Sequence, residues 1–305
     1  MTCNKNSSPQ LRAASTIILV RENNKVLEVY LLKRGSKAGF MGGLYVFPGG
    51  VVDTDDSGSE AWASNIDIDP DQIIEKLGSR TLLKEDALSF GIAAIRETLE
   101  EAGVFIATCD DKTEEDFNSI ALYRLNRDLP KSWFKAKIME ENWILSLSSL
   151  GRWSHWITPA QMKKRFDTRF FIAIMPEKQI CKPDQIETNH GIWVEPQKAL
   201  EQNLEEKIPL SPPTIVTLTE LIKFKNLDNI RQEIQTRGWG NPLAPHLVSS
   251  PNGLVIIEPW DEMFDCLGDS TCEIDTSDFA QKVLAPGSRF SRIWCNNGMW
   301  KPIDV

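Results

Sequence analysis

The 305 residues, 41% of them apolar, suffice for one large domain or for a domain with an appendage. A formal net charge of −9, with no long Lys/Arg run, argues against general nucleic-acid binding. An anionic substrate would have to be met by metal cations or by local arginines.

From the N-terminus, "TIILV" (16–20) and "VLEVYLL" (26–32) are β-rich and flank the turn-like "RENNK", which predicts a hairpin. "KRGSKAGFMGGLYVFPGG" (33–50) starts basic and holds a short strand, "LYVF", stopped by Pro48-Gly49-Gly50. Residues 53–86 are strongly acidic and read as an inserted surface segment, with a short helix around 71–77 and a lid as one candidate role. A helix follows over 86–102. Ile92, Ile95 and Leu99 mark its buried face, and Gly103 is placed to end it.

Residues 111–150 read as largely helical, with Phe117, Ile120, Leu122 and Trp133 for packing. After "WSHWITP" come the strand "RFDTRFFIAIMP" (165–176) and "GIWVEPQKALEQ" (191–202), a strand, a turn and a helix start. "LSPPTIVTLTELIKF" (210–224) is a helix with prolines in its first turn. Beyond about residue 226 the texture changes. "GLVIIEPWD" and "SRIWCNNGMWKPI" predict strands of a small β-rich tail holding Trp239, Trp260, Trp294 and Trp300. The expected division is therefore a domain over 1–225 and an extension over 226–305. The tail either packs onto that domain or offers a surface for a homodimer.

No apolar run reaches the ~20 residues of a membrane span, and "MTCNKNSSPQLRAAS" lacks a secretory pattern. The six cysteines (Cys3, Cys109, Cys181, Cys266, Cys272, Cys295) show no zinc spacing. Reduced thiols in a cytoplasmic protein are expected, with one disulfide left open.

The chemistry concentrates in "AAIRETLEEAGV" (93–104). Glu97, Glu100 and Glu101 share one helical face, where they repel each other. Glu101 also sits where the helix dipole disfavours negative charge. Arg96 can pair with Glu100 at i+4, and a hard divalent cation would relieve the rest. A solvated acidic face is the alternative. "FPGG" upstream ends a strand in a turn that can set a free carbonyl beside the helix.

Together, "GG" and "RETLEEAGV" resemble the Nudix hydrolase box, G-x5-E-x7-R-E-U-x-E-E-x-G-U, with U apolar. Arg96, Glu97, Glu100, Glu101, Gly103 and Val104 match its second half, and Thr98 departs at an apolar position. The acidic segment separates Gly50 from Arg96. Counting back from Arg96 puts the pattern's first glutamate on Leu88, which leaves Glu85 or Asp86 for its role. "FMGGLYVFPGGVVDTDD", "AAIRETLEEAGV", "WSHWITP" and "RFDTRFFIAIMP" further resemble the mammalian peroxisomal acyl-CoA diphosphatase branch, over roughly 15–225.

The resemblance implies an α/β/α sandwich with a mixed central sheet, an insertion inside the box and a small β-rich C-terminal extension. It implies a Mg²⁺- or Mn²⁺-dependent diphosphatase acting on a small-molecule nucleoside diphosphate, with no nucleic-acid or membrane partner. CoA or acyl-CoA is the leading substrate; NADH, ADP-ribose or a nucleotide sugar, or a non-catalytic binding module, are the alternatives. Glu97, Glu100 and Glu101 would hold metal, helped by a Gly49 or Gly50 carbonyl, and Arg96 would orient the glutamates. The general base would be Glu100 or, from a distant loop, Glu187. Arg34, Lys33, Arg165 and Arg169 are candidates for phosphate contacts, since a guanidinium fork binds two oxygens. Asp167 could hold an arginine in place. Phe40, Phe47 and Trp156 could stack on adenine, with core packing as the plainer role. His155, His190 and His246 read as structural or exposed, and Trp193 as core.

Overall fold

The computed structural model describes residues 10–36, 41–79, 81–108, 112–186, 188–250, 252–268 and 282–304. The predicted hairpin is present as β1 (Leu11–Asn23) and β2 (Val26–Arg34). Asn24 and Lys25 close it, both with positive φ (51° and 66°), the backbone of a tight two-residue turn. β3 (Tyr45–Val46) falls within the predicted "LYVF". β4 (Gly49–Val51) pairs antiparallel with β1 through Ala14, Ser15 and Thr16. This seats the two glycines directly on the sheet.

The acidic segment contains α1 (Ser59–Trp62) and α2 (Ile73–Leu77), followed by the long α3 (Lys84–Ala102). The expected surface insertion is in fact a buried brace. Trp62, Ile73 and Leu77 are fully buried and Ile66 nearly so, in one core with Leu88, Ile92, Ile95 and Leu99 of α3. Acidic side chains dominate its composition, but its few apolar residues fix its position. Among the described residues of 53–86, Asp53 alone lines the main cavity, so the segment does not form a lid.

β5 (Ala107–Thr108) pairs with β6 (Ile144–Leu145) across the helices α4 (Glu114–Tyr123) and α5 (Trp133–Glu140). β7 (Gly151–Ile157), β8 (Arg165–Ile174) and β9 (Thr188–Val194) complete the central sheet. Its order is β3-β2-β1-β8-β7, with β4 on β1 and β9 on β2. β1 runs parallel to β8 but antiparallel to β2, so the sheet is mixed. Both faces are covered, and period-two alternation divides the strands between two cores. Ile17, Leu19, Tyr30 and Leu32 face α3. Ile18, Val20, Val29 and Leu31 face α6 (Pro196–Leu204) and α7 (Pro212–Leu221).

Beyond α7 the chain continues with a helix that the β-rich reading of the tail did not foresee, α8 (Leu227–Thr236), capped by the Asn226 side chain. Its Ile230 is buried in the second core, and Arg237 just after it donates to Trp153 O at 2.8 Å. The predicted tail strands then form an antiparallel sheet: β10 (His246–Ser250), β11 (Gly253–Ile257), β12 (Arg292–Asn296) and β13 (Met299–Ile303). It docks on the main body, where Asn203 donates to Trp300 O at 2.8 Å and Leu243 pairs with Trp156. Trp239 acts elsewhere: its indole donates to Leu77 O and its ring packs edge-on against Phe171, tying the brace to the sheet. Cys181 and Cys295 are free thiols, whereas Cys266 is disulfide-bonded.

Candidate active site

The last turn of α3 and the β3–β4 turn both line a cavity of about 870 Å³. α3 stops at Gly103, whose N–H bonds Leu99 O and whose φ of 71° suits glycine. A side chain there would also collide with the Arg124 guanidinium. Arg124 in turn bonds the carbonyls of Glu100 and Lys182, pinning the helix end. Thr98, the departure from the apolar pattern, is fully buried and returns its hydroxyl to Ala94 O at 2.8 Å, so it packs without an unsatisfied donor.

Arg96 is the hub. Its Nε and Nη2 form a two-pronged pair with Asp56 (2.9 and 2.8 Å), and Nη2 also donates to Val51 O. Nη1 donates to Glu97 (2.7 Å) and Glu100 (3.0 Å). Burial opposes its charge, but the bond to Asp56 and the charges of Glu97, Asp56 and Glu100 outweigh it and raise its pKa further.

Asp56 thus fills the place for which Glu85 or Asp86 had been the candidates. Glu85 instead caps α1 through the N–H groups of Gly58 and Ser59, Asp86 is exposed, and Leu88 is core. The signal was available: counting forward from Gly50, as the pattern's G-x5-E asks, lands on Asp56. Counting back from Arg96 crossed the insertion and missed it.

The three glutamates differ in setting. Glu97 packs on Gly50 so closely that any side chain at Gly50 would strike its carboxylate. Burial, with the nearby negative charge of Glu100 adding to it, pushes the Glu97 carboxyl up to about 7 despite Arg96. Glu100 is raised for the same leading reason and accepts from Trp133 Nε1 at 3.0 Å. Glu101 is buried and accepts from Gly49 N–H at 2.9 Å, with Arg34 Nη1 at 3.9 Å.

Among the described residues, no three acidic, His or Cys side chains already converge as a closed ligand set. Glu97 and Glu100 are drawn onto Arg96, and Glu101 onto Gly49 N–H. The donor chemistry nevertheless fits a hard divalent cation. Three carboxylates sit on one turn, and crowding with burial makes two of them reluctant to ionise without a further positive charge.

Not every residue singled out in the sequence is gathered here. Arg34 and Phe47 line the cavity, Phe47 as an almost fully buried wall, and so does Trp156. Arg165 and Arg169 do not line it. Arg165 bonds Thr158 O, and Arg169 is buried between the rings of Phe90 and Trp239. Lys33 lies over the Tyr45 ring, away from the lining. Asp167 bonds His155 (2.7 Å) and also interacts electrostatically with Arg169. His190 meets the Tyr45 hydroxyl, and Trp193 packs at the core margin under Arg21. Glu187 and Phe40 lie outside the described residues. Arg124, Arg127 and Lys131, from the end of α4 and the loop to α5, do reach the cavity. Their segment, "RLNRDLPK", has no pattern that marks it, since its closeness to α3 is purely tertiary.

The family profile described as the NUDT19 Nudix domain matches residues 11–221. The chain belongs to the NUDT19-type Nudix hydrolases. The "Acyl-coenzyme A diphosphatase NUDT19" of Xenopus laevis is 26% identical over 90% of this chain and 82% of its own length. The human protein of the same name is also 26% identical, over 86% of this chain and 79% of its own. The crystal structure of a Nudix hydrolase from Alicyclobacillus acidocaldarius aligns with a TM-score of 0.58 at 21% identity, covering 77% of this chain and all of that one, and supports the fold. The expected mixed central sheet with a small C-terminal antiparallel sheet is therefore present. Nudix enzymes are diphosphatases that typically depend on a divalent metal, and no helix among the described residues is long and apolar enough to cross a membrane.

Proposed function

We propose that this Nudix hydrolase cleaves the diphosphate bridge of CoA or an acyl-CoA, releasing 3′,5′-ADP and (acyl-)4′-phosphopantetheine. One observation carries the reading: a single cavity joins the carboxylate turn to long apolar walls, as a substrate with a diphosphate centre and an apolar arm requires. The names of the relatives point the same way.

In this reading residues 1–225 form the catalytic domain and 226–305 an extension packed on it. Glu97, Glu100 and Glu101, with a Gly49 or Gly50 carbonyl, would hold Mg²⁺ or Mn²⁺. When bound, the metal neutralises the diphosphate and lowers the pKa of the attacking water. Arg96, fixed by Asp56, holds Glu97 and Glu100 in register. Glu100, its pKa raised by burial, accepts the proton of the water as the oxygen attacks one phosphorus. The P–O bond of the bridge breaks and the other phosphate leaves. Arg34 takes a phosphate oxygen, and Arg127 and Lys131 supply positive charge for the nucleotide end.

The test is a hydrolysis panel with Mg²⁺ or Mn²⁺ over CoA, acyl-CoA, NADH, ADP-ribose and a nucleotide sugar, with products separated by chromatography. Release of 3′,5′-ADP from CoA species is expected. Cleavage of another compound alone would discard the CoA reading and keep the site. No turnover of any of them would favour a ligand-binding module.

A further inference from the structure

The C-terminal sheet carries apolar side chains on both faces, and one of the two faces also lines the cavity. Val255 and Ile257 of β11, with Ile303, form a small core of their own, joined by Val248 and Trp294. Their alternate neighbours Leu254 and Ile256 face the other way, as does Leu247, which stands opposite Ile256 in the register of β10 on β11. With Trp300 of β13 these side chains line the same cavity that holds the carboxylate turn. Leu254 is 40% exposed, whereas Leu247 and Trp300 are half-buried and Ile256 is buried, all three packed in the second core. Met162 and Phe166, from the β7–β8 connection and β8, line the cavity as well. Leu254, with the half-buried Leu247 and Trp300, thus presents apolar surface to the cavity beyond what the second core covers.

Resting on the proposed CoA reading, we propose that this sheet is the acyl arm of the site: Leu247, Leu254, Ile256 and Trp300 receive the fatty chain of an acyl-CoA thioester and set the chain length preferred. The occupant follows from continuity. A chain lying on this wall is joined through one cavity to a polyanionic group at Glu97–Glu101 and Arg34. An unbranched hydrocarbon needs no hydrogen-bond partner on the wall, and Leu254 with the half-buried Leu247 and Trp300 offers it apolar surface beside the buried Ile256.

The test is the chain-length profile of kcat/KM, from free CoA through short to long acyl-CoA, for the wild type, Leu254→Glu and Leu254→Phe. In the wild type each fully buried methylene raises kcat/KM by roughly fourfold until the arm is full. Leu254→Glu lowers the ratio of long-chain acyl-CoA to free CoA on the order of tenfold, by placing a charge on the chain's path. Leu254→Phe, which stays apolar but takes up space, shifts the optimum to shorter chains and serves if the charged variant fails to fold. CoA esters turned over with an unchanged ratio in the variants would overturn the acyl arm alone. Failure of the wild type to cleave CoA or any ester would overturn the CoA reading and this inference with it.

Discussion

Two segments lie outside the continuous Nudix pattern, and they do different things. The segment of residues 53–83, inside the box, is acidic in composition but buried in function, with Trp62, Ile73 and Leu77 under α3 and Asp56 on Arg96. The C-terminal sheet is more apolar, yet it sets Leu247, Leu254, Ile256 and Trp300 against a cavity. Composition alone would have assigned the roles the other way round. What differs is whether the apolar residues end in a packed core, which fixes geometry, or, as at Leu254, also keep a surface on the cavity.

If the inserted segment is a brace, breaking it must cost stability first and activity as a consequence. Asp56→Ala leaves the buried Arg96 without its two-pronged partner and should lower unfolding stability by about 3–5 kcal/mol, read by urea denaturation. Turnover should fall with it as Glu97 and Glu100 lose register. An unchanged midpoint would mean that Asp56 does not hold the hub. Trp62→Ala, remote from the cavity, should cost a comparable amount, about 3–5 kcal/mol, through the void left in the core. A mobile lid would show almost no loss of melting temperature.

The sheet makes a contrasting prediction. Glu258, just after β11, is fully buried with both carboxylate oxygens unpartnered among the described residues, and burial pushes its pKa up to about 8. A folded-state pKa raised above the unfolded value favours folding at low pH. That contribution is complete below pH 4.5 and is lost as pH rises toward 8. Thermal melts of wild type and Glu258→Gln should therefore diverge in the variant's favour over this range, and parallel curves would contradict the buried setting. The smallest effect belongs to Lys301, which joins the sheet to exposed Glu206 at 2.7 Å. Lys301→Ala should cost under about 1 kcal/mol, because such pairs are screened. A larger loss would mean that the sheet is held by charge and not by its apolar face.

The sequence revealed those parts in which a local pattern and the tertiary outcome agree. The first hairpin is two β-rich runs about a polar turn, α3 repeats its apolar residues at helical spacing and stops at a glycine, and "GLVIIEPWD" and "SRIWCNNGMWKPI" hold the strands read from them. β4 was not legible, because "GGV" has little strand propensity of its own and is ordered by β1. α8 was passed over although Leu227, Ile230 and Ile234 recur at helical spacing, since the strands after it set the texture of the tail. At the site, the glutamates, Arg96 and the glycines stood out in the sequence. Arg165 and Arg169 were candidates for their charge and do not line the cavity, while Arg124, Arg127 and Lys131 reach it through a fold-level contact that no spacing records.

The most direct test of the account compares CoA hydrolysis by the wild type with that by Glu100→Ala and Glu101→Ala, in Mg²⁺ or Mn²⁺, with melting curves recorded alongside. The account predicts metal-dependent release of 3′,5′-ADP by the wild type and a loss of most turnover in both variants while the fold survives. Full activity in both variants would show that the carboxylate turn of α3 is not where the diphosphate is cut.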